Sequence, residues 1–222
     1  MFYNEVWYYF WSVPIILQKY PNADTELAVW KITESVDELK EMLWMFPFEE
    51  FKFPSRNQQW LSSRVLLQEV LKNKTEEKHL KVLKQPNGRP FIDGLGYNFS
   101  MSHSTDFAAV LVSKTGSVGV DIEEINERIK KIARKFINEY EWQHLAGEND
   151  LHTMYLIWSA KEAIFKWFGD GQVDFRKNMQ ILFPIAENAT EFEAVLLKEK
   201  EYNLTIHTEI VDEQYRLCWV YW

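Results

Sequence analysis

The stretch VGVDIEEI, residues 118–125, constrains the chain more than any other. Apolar residues alternate there with Gly, Asp and Glu, as in a strand, whose side chains point to opposite faces in turn. Val118, Val120 and Ile122 share one face, and Gly119, Asp121 and Glu123 share the other. The first face needs an apolar layer over it. The second sets two carboxylates side by side, and such neighbours resist ionising together unless something positive lies between them. A solvated strand at a sheet edge meets that demand, and so does a divalent-cation site; the strand by itself leaves both open.

The surroundings of this strand define the fold class. Strand-like runs at 97–102 and 106–113 precede it, and the apolar run VWYYFWSVPIIL, residues 6–17, reads as a buried strand ending near Pro14, followed by a second strand at 26–33. Residues 6–17 are too few to span a bilayer as a helix and carry no signal-peptide pattern. Ser35 with Glu38, and Ser55 with Gln58, each have the spacing of a helix-opening capping box. The second helix carries Trp60, Val65, Leu67 and Leu71 at roughly helical spacing. QPNGRP, residues 85–90, is a turn cluster. Beyond the 118–125 strand, ERIKKIARKF (127–136) reads as an amphipathic helix, a second helix follows Asn138, and a third runs from about 150 to 168. Strand patterns return in YNLTIHTEI and YRLCWVYW. The order is α+β on both sides of a break at KTGS, residues 114–117, which gives two halves of similar length, 1–115 and 116–222.

At 222 residues and 46% hydrophobic, the chain has enough apolar mass for a substantial core. Its net charge of −8 argues against bulk nucleic-acid binding, which depends on neutralising phosphates. Cys218 is the one cysteine, so neither an internal disulfide nor a cysteine metal cluster can form, which suits a reducing cytoplasm.

Candidate chemistry is concentrated in a few short stretches. Within WSAKEAIFKW, residues 158–167, Trp158, Glu162 and Lys166 are four apart and share one helix face. That stripe is either a surface ion pair beside a ring or the wall of a charged-ligand site. Ser102, His103 and Ser104 adjoin a strand; neighbours there point to opposite faces, so Ser102 and His103 cannot readily share a proton, but hydroxyls and an imidazole suit phosphate oxygens. Arg89, in the NGRP turn, can reach a phosphate bidentately. Glu141 stands three residues after Asn138, the capping-box spacing, a role that leaves room for a catalytic one. Acids and phosphate-type donors without a Cys/His cluster favour a hard cation, and magnesium is commonly held by one or two carboxylates together with substrate phosphates.

GRP, then SHS, then VGVDIE, then WSAKEAIFK, in that order and spacing over residues 88–171, resembles the 4'-phosphopantetheinyl transferases, and the length matches their larger, surfactin-synthetase-activating subclass. The resemblance implies two pseudo-symmetric α/β halves with the active site at their interface. It implies transfer of the phosphopantetheine arm of coenzyme A to a serine of an apo acyl, peptidyl or aryl carrier protein, by a cytoplasmic monomer that engages neither nucleic acid nor membrane. It assigns Asp121, Glu123 and Glu162 to magnesium, with Glu162 and Lys166 catalytic and Glu141 as general base. Coenzyme A would be bound by Arg64, Arg89, Ser102, His103, Asp121, Lys161 and Lys166, and Gly169 and Gly171 match a glycine pair after the helix. Asp170 departs from the pattern, since an acid near phosphates must point away. Carrier proteins are usually acidic, so docking needs a local positive face, for which 128–135 is the candidate. A magnesium-dependent pyrophosphate hydrolase and a non-catalytic carrier-binding module are the alternatives.

Overall fold

The computed structural model describes residues 14–48, 51–52, 54–170 and 172–222. Strands β1 (Ile15–Asn22) and β2 (Thr25–Lys31) form an antiparallel hairpin. A strand begins just after Pro14, since proline has no N–H for a ladder and is tolerated at a strand's start. Residues 6–13 of the strand expected to end near Pro14 lie outside the described residues, and β1 alternates half-buried with exposed positions. Helix α1 (Val36–Met42) opens on the expected capping box: Ser35 Oγ accepts from Glu38 N–H, and the Glu38 carboxylate accepts from Ser35 N–H. Helix α2 (Pro54–Leu71) starts at a proline, so Ser55 lies inside its first turn and not ahead of it. A small hairpin follows, β3 (Val82–Lys84) and β4 (Pro90–Ile92), turning through the segment that carries Arg89. Strands β5 (Asn98–His103) and β6 (Phe107–Ser113) complete an antiparallel sheet of order β1-β2-β6-β5.

The second half opens with β7 (Val118–Glu124). The helix expected over 127–136 is two pieces, a 3₁₀ turn at Glu127–Lys131 and α3 (Ala133–Phe136). Ile129 and Ile132 are three apart, which suits the tighter 3₁₀ winding, and Ile132 closes that turn by donating to Ile129 O. Helix α4 (Glu139–Trp142) is a single turn capped by Asn138 and Glu141, and α5 (Leu151–Phe168) runs from an Asp150 cap to a left-handed Gly169. Strands β8 (Met179–Ile181), β9 (Glu191–Leu197), β10 (Glu201–Val211) and β11 (Tyr215–Tyr221) join β7 in a sheet of order β7-β11-β10-β9-β8.

Three apolar clusters build the mixed α/β core. Ala28 and Trp30 of β2 and Val110 of β6 pack under α2, through Leu61, Val65 and Leu66. Cys218, Val220, Leu204 and Ile206 pack under α5. Between the sheets, Val118, Val120 and Ile122 meet Leu27, Val29, Ala109 and Leu111 together with Leu217 and Trp219. The apolar face of VGVDIEEI thus seals the two sheets together, and its acidic face turns towards α5.

Candidate active site

Strands β5 and β7 are edge strands of different sheets that run against each other, with α5 across β7. Serines at alternate positions along β5 and just beyond it satisfy the β7 backbone where a ladder would. Ser100 Oγ accepts from Val120 N–H and Ser104 Oγ from Glu124 N–H, both at 3.1 Å. Between them Ser102 donates to Asp121 Oδ1 at 2.9 Å. On the other side α5 approaches closely because residue 119 is glycine: a Cβ there would stand 1.9 Å from Ala163 O and 2.7 Å from Trp167 N.

This approach brings the α5 stripe onto the acids. Lys166 Nζ donates to Asp121 Oδ1 at 2.9 Å, Ser102 Oγ at 3.0 Å and Val120 O at 3.0 Å. Trp158 Nε1 donates to Glu123 Oε1 at 3.2 Å, its ring edge-on to Phe136. Asp121 is 3% exposed, which excludes the solvated-edge reading of this strand, and its Oδ2 is buried without a hydrogen-bond partner. Burial pushes the Glu123 carboxyl up to about 7, with the Asp121 and Glu162 charges adding and Trp158 and Lys166 opposing. Burial and Asp121 likewise raise Glu162 to about 7, against Lys166. The three acids therefore feel one another. As they stand, however, no three Asp, Glu, His or Cys side chains among the described residues are grouped so as to hold a metal ion between them. An orphaned Asp121 oxygen beside two carboxyls that resist ionising fits a hard cation completed by substrate oxygens and water, rather than one caged by protein.

Next to Lys166 opens a cavity of about 350 Å³, lined by Arg89, Ser100, Met101, Phe165, Lys166 and Gly169 among others. Arg89 Nη1 donates to Ser117 Oγ at 3.3 Å, and its Nη2 is buried with no partner, a fixed cation with an unused donor. His103 is on the solvent side of β5, opposite Ser102, and desolvation, then the Lys166 and Arg64 charges, hold its imidazole below the usual range. Arg64 lies 3.9 Å over the Trp60 ring and joins the site through its field on His103. Asp170 is exposed and accepts from Gln172 N–H at 3.2 Å, within its own turn. Gly171 lies outside the described residues.

Two expected site residues are elsewhere. Lys161 is 0% exposed and donates to Glu141 Oε2 at 2.7 Å, Phe136 O at 2.8 Å and Phe175 O at 2.9 Å, so it faces the core and not a coenzyme. Glu141, also 0% exposed, accepts from Asn138 N–H and Ile181 N–H as well as from Lys161, so both its oxygens are engaged inside the protein. Lys161 follows Trp158 by three and precedes Glu162 by one, positions about 100° apart on a helix, so it turns inward as Glu162 turns to the site.

Residues 117–220 match the family model of the 4'-phosphopantetheinyl transferase superfamily, a stretch that holds Asp121, Glu123, Glu162 and Lys166 in the geometry described above. The likeness to that superfamily covers residues 117–220 of the 222. It is 36% identical to the 4'-phosphopantetheinyl transferase gsp of Aneurinibacillus migulanus over 40% of this chain and 38% of that protein. It is 26% identical to the 4'-phosphopantetheinyl transferase HetI of a Nostoc species over 72% of this chain and 68% of the relative. With AcpT of Salmonella typhi it shares 34% identity over 51% of this chain and 60% of the relative. The chain thus spans between about two fifths and two thirds of the length of these relatives. Ser102, Arg89 and Arg64 lie before the matched stretch, and Ser102 bonds directly to its Asp121. Ser100 was not anticipated, and Ser104, expected to suit phosphate oxygens, accepts from β7 backbone instead; the signal for both was the period of two in SMSHS, which puts three hydroxyls on one face.

Proposed function

We propose that the chain transfers the 4'-phosphopantetheine moiety of coenzyme A to a serine of an apo carrier protein and releases adenosine 3',5'-bisphosphate. The observation that carries this reading is the cavity walled by Lys166 and Arg89, which adjoins the Asp121–Glu123–Glu162 face. A diphosphate laid there meets two cations on one side and carboxylates suited to a magnesium ion on the other. Magnesium, held by Asp121, Glu123 and Glu162 with the diphosphate oxygens, would supply charge neutralisation at phosphorus.

The residues of the chain orient and neutralise. Arg89 offers its unpaired Nη2 to a phosphate, and Lys166 exchanges Asp121 Oδ1 for a phosphate oxygen. The carrier serine Oγ forms a bond to the phosphorus bearing the pantetheine. The bond from that phosphorus to the bridging oxygen breaks, and the bisphosphate leaves with the electron pair. The serine proton passes to water at the open side of the cavity. The nucleophile comes from the partner, so positioning and electrostatics supply the acceleration.

Arg128, Lys131, Arg134 and Lys135 are exposed just beyond β7 and form the positive face on which an acidic carrier would dock. A cytoplasmic monomer, its halves 1–115 and 116–222 related by pseudo-symmetry, completes the reading; no helix among the described residues is long and apolar enough to cross a membrane.

The test is to incubate the protein with coenzyme A, magnesium and an apo carrier, then weigh the carrier. A gain of the phosphopantetheine mass is expected. Cleavage of coenzyme A without that gain would instead identify a hydrolase, and binding without either a non-catalytic module.

A further inference from the structure

The Glu141–Lys161 pair is the most thoroughly buried ionic contact among the described residues, and the proposed chemistry does not use it. Its connections are unusual in reach. Lys161 Nζ ties α5 to the end of α3 through Phe136 O, to α4 through Glu141, and to the segment after α5 through Phe175 O. Glu141 Oε1 reaches on to β8, accepting from Ile181 N–H at 2.8 Å, while Oε2 also accepts from Asn138 N–H at 2.9 Å. Four backbone groups, Phe136 O, Phe175 O, Asn138 N–H and Ile181 N–H, therefore meet on two charges. Burial pulls Lys161 down to about 8 while Glu141 opposes it.

The next residue along α5 is Glu162. On its β7 side the helix is fixed by the glycine gap at Gly119; on its inner side it is fixed by Lys161. Those two contacts leave little freedom for α5 to slide or roll, and hence for the Glu162 carboxyl to move relative to Asp121. We infer that Glu141 and Lys161 are positioning residues, a buried strut that sets where Glu162 stands against the β7 acids, and that Glu141 takes no proton from substrate. This rests on the reading of Glu162 as part of a magnesium–diphosphate site.

The experiment compares wild type with Glu141→Gln in two readouts. Mn²⁺ alone is titrated into each protein and followed by electron paramagnetic resonance. Magnesium is then varied in the carrier-mass assay. A strut predicts that Mn²⁺ affinity drops about 10- to 100-fold, that half-saturating magnesium rises in step, and that excess magnesium restores most of the turnover. Unchanged Mn²⁺ affinity with turnover lowered about 10²- to 10⁴-fold at saturating magnesium is the signature of a lost base and overturns the inference. A wild type that binds no Mn²⁺ overturns it too. A wild type that binds Mn²⁺ but never modifies a carrier sinks the transferase reading and leaves the strut standing. Should Glu141→Gln fail to fold, the wild-type protein is treated with a water-soluble carbodiimide and a small amine, with and without coenzyme A. Glu141 should stay unmodified while Glu123 or Glu162 reacts; modification of Glu141 at their rate refutes the inference.

Discussion

Glu162 sits near two other carboxylates in a partly dry site, and this governs how the metal-free protein responds to pH. Its carboxyl is raised from 4.5 to about 7 in the folded protein. Between those values the folded form holds more protons than the unfolded one, so stability falls as pH rises through this window and the loss is complete above about 7. Glu162→Gln removes that share. In chelator, the variant should melt above wild type at pH 8, by an amount on the order of 1–3 kcal/mol, and should match it near pH 4.5. The same substitution should abolish phosphopantetheine transfer at ordinary magnesium. Thermal melts at the two pH values check the first statement and the carrier mass checks the second; a variant that melts lower at pH 8 contradicts the repulsion. The roles of single residues were unevenly legible. Spacing alone put Asp121 with Glu123 on one strand face and Glu162 with Lys166 on one helix face; that the two faces meet was not in the spacing. Glu141 could be read only as a cap, because its other partners, Lys161 and Ile181, stand 20 and 40 residues away and local spacing carries no trace of them.

At the scale of elements, the contact of α5 with β7 decides whether the acids and Lys166 meet at all, and Gly119 controls it. A methyl group there would fall 1.9 Å from a helix carbonyl oxygen, and both nearest obstacles, Ala163 O and Trp167 N, are backbone atoms that no rotamer change can move. Gly119→Ala must therefore push the helix off the strand. We expect a loss on the order of 2–4 kcal/mol, at the upper end of overpacking, and an activity deficit larger than the unfolded fraction explains, since Lys166 withdraws from Asp121. Denaturant unfolding beside transfer rates at matched folded concentration tests this; activity that follows folded protein one for one would show that the spacing is not critical. Elements with strong local signals were readable: the Ser35 and Asn138 capping boxes, the alternation of β7, and α5 between Asp150 and Gly169. The segment 127–136 was not, because its apolar stripe at three-residue steps fits a 3₁₀ turn as well as an α-helix. Neither was β1, which lies beyond Pro14, while the strand expected before it lies outside the described residues.

At the scale of the whole molecule, the alternation of strand and helix patterns was legible, and the four- and five-stranded sheets each pack against an 18-residue helix. The seam between the sheets was not legible, since it depends on serines along β5 and just beyond it reaching β7 backbone across two edge strands. The charge pattern raises the last question. If the proposed carrier is acidic, a chain of net charge −8 repels it at long range, so productive encounter must be steered by a local field. The exposed cations of 128–135 adjoin the site through β7, and Arg134 is anchored with its guanidinium 4.9 Å from the Trp142 ring centre, which holds the charge in place. Reversing Lys131 and Arg134 to glutamate leaves the cavity and its Lys166–Arg89 wall untouched. The double variant should therefore raise the carrier KM by about tenfold, or roughly 1.4 kcal/mol, while the KM for coenzyme A stays the same. Salt gives an independent check. Screening beyond about 10 Å at 0.1 M ionic strength weakens steering, so wild-type kcat/KM for the carrier should fall as salt rises and the variant should respond much less. Equal salt slopes for the two proteins, or a matching rise in the KM for coenzyme A, would place the docking surface elsewhere.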